Sequence, residues 1–173
     1  MRTAIVLFIL ANAALACQAA GPRDVGPIAP PDFKIVAGFG NGSIAVTESI
    51  YSWDITITGT GEAIIEAFRG QSARPERHKA ELPPGAVKQI LAALDRSEFF
   101  TLPAEIEGKI SDSPAYTLEV TRSGKHHRVW LYAPAGIHDK AFLKRFLVVW
   151  ETIFRYVEPP SGKAPLEHLR ANS

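Results

Sequence analysis

The stretch YSWDITITGTGEAIIEAFR (Tyr51 to Arg69) decides the fold class. Its first eight residues alternate: Tyr51, Trp53, Ile55 and Ile57 point one way, and Ser52, Asp54, Thr56 and Thr58 the other. Period-two alternation of this kind marks a strand with one buried and one wetter face. The run Gly59-Thr60-Gly61-Glu62 supplies a turn, and Ala63 to Arg69 (AIIEAFR) returns beside the first strand as a hairpin.

Working outward, Phe33 to Phe39 (FKIVAGF) is expected to be an N-terminal strand that stops at the glycine-rich turn GNGS. Downstream the period changes. In LPPGAVKQILAAL, Val87, Ile90, Leu91 and Leu94 fall on one helical stripe, with the prolines at the start, where a missing N–H costs least. Phe99 and Phe100 then arrive together as a hydrophobic plug. A second hairpin follows: Tyr116, Leu118 and Val120 share a face, Arg122 to Lys125 turns the chain, and Val129 and Leu131 oppose Arg128, Trp130 and Tyr132. Asp139 is placed to cap a long last helix reaching Val157, whose apolar stripe is wider than one sheet face covers. That excess points to a second covering layer or to a dimer contact. The expected architecture is α+β, β-β-β-α-β-β-α: an antiparallel sheet of two hairpins plus an N-terminal strand, with two helices packed on it.

The chain before this domain reads differently. Ala4 to Ala16 is apolar apart from Asn12 and follows Arg2, which is the length of a signal-peptide core and too short for the roughly 20 apolar residues of a bilayer span. Residues 1–16 are therefore expected to be a signal peptide, and the protein to be exported to the periplasm or cell envelope. Cys17, the only cysteine, directly follows Ala14-Leu15-Ala16. It reads as a lipidation site that becomes the mature N-terminus. Ordinary cleavage at the A-x-A site, or a cysteine discarded with the signal, are the alternatives. Residues 17–32, rich in proline and glycine, form a tether to the domain at 33–158, and 159–173 a loose tail.

Charge excludes one class of partner. Without residues 1–16, which carry Arg2 and no acid, basic and acidic residues balance at 18 each, so nothing favours nucleic acid by bulk electrostatics. The search for chemistry is negative. No nucleophile is paired with a base, and no set of residues has metal-ligand spacing. His126 and His127 are neighbours on a strand and point to opposite faces, so they do not chelate one ion together. The expectation is a non-catalytic protein with no cofactor and no metal. The segment Arg69 to Lys79 (RGQSARPERHK) reads as a basic loop. Arg74 and Arg77 from it, with Tyr51, Trp53, Trp130 and Tyr132, make the candidate binding surface. A sheet covered on both faces is the alternative reading of those aromatics. Asp112, before the second hairpin, is expected to orient a turn.

Two resemblances attach to these residues. From LPPGAVKQILAALDRSEFFTLP through DSPAYTLEV and GKHHRVWL to the last helix, the chain resembles the emfourin family, small inhibitors of thermolysin-type metallopeptidases. The matching positions are Phe99, Phe100, Leu102, Asp112, Tyr116, Leu118, Val120, Gly124, His127 and Val129. The front half, YSWDITITGTGEAIIE, is similar to an uncharacterised bacterial domain family with the same hairpin, helix and hairpin. The emfourin resemblance implies an inhibitor of a secreted or periplasmic metallopeptidase; apart from it, the expectation is a protein-binding module whose partner is an envelope protein. Contact with the membrane would be only through an N-terminal lipid.

Overall fold

The computed structural model describes residues 29–41, 50–69, 74–160 and 166. Cys17, the signal segment and most of the tether and tail lie outside them. Among the described residues seven strands form one sheet: β1 (Lys34–Gly40), β2 (Ile50–Thr58), β3 (Glu62–Arg69), β4 (Glu76–Glu81), β5 (Glu105–Glu107), β6 (Ala115–Arg122) and β7 (Lys125–Tyr132). Two helices, α1 (Ala86–Arg96) and α2 (Lys140–Ile153), accompany them, with one-turn 3₁₀ segments at Phe99–Thr101 and Pro134–Gly136. The strand order is β4-β3-β2-β1-β6-β7-β5. All neighbours are antiparallel except β5, which runs parallel to β7.

The architecture is α+β as expected, but the sheet is larger than two hairpins and a strand. The segment expected as a basic loop holds β4, which pairs with β3 from Glu62↔Glu81 to Ala67↔Glu76. All six β4 side chains are exposed, so no buried alternation marks it. Such a charged edge discourages pairing with other chains. The second added strand, β5, is three residues long, too short to carry a periodic signal.

Chain order explains the layout. The strands β1 to β4 step outward as a meander. Then α1 and the Phe99 turn carry the chain back across one face to the opposite edge, where β5 enters beside β7. The β6–β7 hairpin fills the gap, so β1 pairs on both sides and runs through the middle of the sheet.

The core lies between this face and the helices. Ile35, Ile55, Ile57, Leu118, Val120, Val129 and Leu131 project from the strands and are buried, as are Ile90 and Leu94 of α1. Trp150 of α2 is the centre of an aromatic cluster, with ring centroids 4.8 Å from Phe154, 5.5 Å from Tyr116, 5.6 Å from Phe146 and 5.9 Å from Trp53. Burial pushes the Tyr116 hydroxyl up to about 12. The wide stripe of α2 has its explanation here, because the helix packs against α1 and the Phe99 turn as well as the sheet. Arg145 ties those elements together, donating to the carbonyls of Ser97 (2.7 Å) and Glu98 (2.8 Å) and to Thr101 Oγ1 (2.6 Å). Asp139 caps α2, accepting from the Ala141 and Phe142 N–H groups, and the helix ends at Ile153, one turn before Val157.

Candidate functional site

Strand alternation that buries one set of side chains displays the other set on the opposite face. Both helices sit on the first face, and among the described residues no helix covers the second. Register places that open face in rows. Across its middle run Arg77, Glu66, Asp54, Gly38, Thr117, Trp130 and Glu105. The row on one side passes through Phe68, Ser52, Gly40, Ala115, Tyr132 and Glu107. Small residues thus make a shallow floor, with the aromatic pair of β7 standing at its side.

Trp130 and Tyr132 are half-buried and stacked, with centroids 5.4 Å apart and planes within 11°. The Tyr132 hydroxyl accepts from the Ser113 N–H at 3.4 Å, which ties the ring to the loop before β6. In the same middle row, Asp54 occupies space that only glycine leaves on β1: a Cβ at residue 38 would lie 2.6 Å from Asp54 Oδ1. Desolvation by its neighbours on the sheet, and then the charges of Glu66 and Glu119, push the Asp54 carboxyl above its ordinary value, with Arg128 opposing.

Ion pairing is uneven across the face. At the β4 end, Glu62 binds Lys79 at 2.7 Å and Glu66 faces Arg77 at 3.7 Å. Toward the centre, Glu119 lies opposite Arg128 and bonds His126 Nε2 at 3.1 Å. At the β5 end, Glu105 and Glu107 are exposed and have no hydrogen-bond or ion-pair partner among the described residues.

The residues singled out from sequence do not form one surface. Trp53 is 1% exposed and lies on the core face, stacked on Phe39 and close to Trp150 and Phe154, so it offers nothing to a partner. The alternation that marks β2 as a strand puts Trp53 with Ile55 and Ile57, under the helices. Tyr51 lies in β2, and its side chain is outside the description. Trp130, Tyr132 and Arg77 do share the open face, at opposite ends of it. Arg74 is exposed just before β4. Asp112 sits in the turn before β6 with a left-handed backbone, φ 52°. The two histidines part as neighbours on a strand must: His126 meets Glu119, whereas His127 bonds the Leu102 carbonyl and packs edge-on against Phe99. Among the described residues, no three His, Cys, Asp or Glu side chains gather as a metal site.

Glu105 and Glu107 went unnoticed in sequence because a three-residue strand announces nothing. Asp32 did too. It ends the tether, and its carboxylate accepts from the Ser123 (2.9 Å) and Gly124 (2.6 Å) N–H groups at the tip of the β6–β7 hairpin. The Gly124 N–H first, then Ser123, hold its pKa below the ordinary value.

The family described as a domain of unknown function (DUF6438) matches residues 52–146. No curated protein matches the chain. The matched span runs from β2 into α2, so it includes Trp130, Tyr132, Glu105 and Glu107 and leaves out the central strand β1. The chain belongs to the DUF6438 family.

Proposed function

We propose that this DUF6438 member is an exported, non-catalytic protein that works by binding another protein through the open face of its sheet. The observation that carries the reading is the one-sided packing: both helices lie on one face, while the other presents an aromatic pair beside a floor of small residues. Aromatic side chains with a polar rim are the composition of protein-binding surfaces. Export rests on residues 1–16 and the lipid anchor on Cys17, as read from sequence. The intact mass of the chain extracted from the cell envelope checks both: a lipidated chain starting at Cys17 supports the anchor, and a lipid-free chain starting later removes it.

A photo-crosslinking residue placed at Thr117, in the middle row, tests the binding surface against one placed at Lys88 on the outer side of α1. A discrete product from position 117 alone is expected. Products only from position 88 would assign binding to the helical side and refute the reading.

The more specific version is inhibition of a secreted metallopeptidase, supported by the emfourin-like positions. Of these, Phe99, Tyr116, Leu118, Val120 and Val129 are core residues in this fold, so they speak to packing before activity. Titration of the full chain against a thermolysin-type metallopeptidase decides it. Loss of activity at one equivalent supports inhibition, and full activity at large excess removes it.

A further inference from the structure

We infer that the β5–β7 end of the open face takes an extended, basic polypeptide segment, one carrying lysine or arginine side chains. The inference rests on the binding reading above and names the chemistry of its partner. Charge is the first argument. At the β4 end Glu62 and Glu66 pair with Lys79 and Arg77, and in the centre Glu119 bonds His126 and lies opposite Arg128. At the far end two exposed carboxylates, Glu105 and Glu107, stand together without a cation among the described residues. Asp54 and Glu81, elsewhere on the face, also lack an ion-pair partner among them, but neither lies in register with an aromatic ring. Register sets them directly beside Trp130 and Tyr132. A cation held by these carboxylates also lies within reach of two aromatic rings, a pairing that favours guanidinium and ammonium groups.

Backbone geometry supplies the second argument. Trp130 N–H donates to the Ala104 carbonyl, and Gly108 N–H donates to the Tyr132 carbonyl. In a parallel ladder, alternate residues direct their N–H and C=O groups to the same side. The backbone groups of Glu105 and Glu107 therefore point outward, off the sheet edge, where an extended chain can pair with them. Their side chains decide which chain is accepted. A second copy's β5 would bring carboxylates against carboxylates, whereas a basic segment brings the complementary charge.

The test uses the full chain and a hexa-arginine peptide, read by tryptophan emission. Trp53 and Trp150 are buried, so Trp130 is the reporter on this face. A saturable change is expected that disappears in Trp130→Phe, weakens as salt rises, and is absent with hexa-glutamate. The double variant Glu105→Gln, Glu107→Gln is expected to bind about tenfold more weakly while keeping the far-UV spectrum of the parent, since both side chains are exposed. Spermine, which carries charge without a backbone, is expected to bind at least tenfold more weakly than the peptide. No saturation, equal affinity of the double variant, or equal affinity for spermine would each overturn the inference. A crosslink from position 117 that persists in the double variant would sink the basic segment and leave the open-face reading standing.

Discussion

Replacing Trp150 by phenylalanine opposes two effects of similar size, and the outcome reports on an unusual feature of the core. Trp150 is fully buried, and its indole N–H has no hydrogen-bond partner among the described residues; the same holds for Trp53. A buried donor left unpaired costs about 1–3 kcal/mol, which phenylalanine removes. Against this, the smaller ring gives up burial equivalent to roughly two carbon groups, about 1.5 kcal/mol at ~0.8 kcal/mol each. The stacking on Phe146 at 5.6 Å and the edge contact with Tyr116 at 5.5 Å are available to either ring. The expected net change for Trp150→Phe is therefore within about 1.5 kcal/mol of zero, whereas Trp150→Ala, with no compensating ring, should lose about 3–5 kcal/mol. Urea unfolding followed by far-UV circular dichroism measures both without relying on tryptophan emission. A loss above about 3 kcal/mol for the phenylalanine variant would refute the reasoning, because it would mean that the indole N–H is bonded in solution.

Arg145→Ala should lower stability by about 1–2 kcal/mol, since it frees two carbonyls and a hydroxyl that join the Phe99 turn to α2. Arg145→Lys should recover little in thermal melts, because one ammonium does not reproduce the guanidinium fork. Asp32 has a depressed folded pKa, so its contribution is complete above its ordinary value of 3.8 and lost as pH falls through the lower folded value. Melting temperatures measured from pH 6 down to 2 should show that acid step in the parent and a smaller one in Asp32→Asn. Asp54 runs the other way. Its folded pKa is raised, so its ionisation erodes stability as pH climbs from 3.8 through the folded value, and Asp54→Asn should be the more stable protein at pH 7. The difference should vanish below pH 3.8, and a constant difference at all pH values would point to packing instead.

Legibility followed burial. The strands with alternating buried residues, β2, β6 and β7, and the striped helices, α1 and α2, are readable because each repeats its apolar positions at the period of its own geometry. Trp53 was legible as a β2 residue and illegible as a core residue, because alternation sorts side chains into two sets without saying which set the helices will cover. The strand β4 has no buried set, and β5 has one buried residue, Ile106, so neither leaves a periodic trace. The carboxylates that matter for the proposed partner lie on β5, at separations in sequence from Trp130 and Tyr132 that no local pattern connects.

By itself, then, the sequence determined the types of β1, the two hairpins and the two helices, the apolar and polar sides of those elements, the cap at Asp139, and the expectation of an exported domain. Tertiary structure alone decided that β1 runs through the middle of the sheet and that both helices share one face. It also left Glu105 and Glu107 beside Trp130 and Tyr132 without a matching cation among the described residues. The physical reason is range. Side-chain periodicity is written within a few residues, but strand order, the choice of covered face and the pairing of charges depend on contacts between distant segments, made only when the chain has closed on its core.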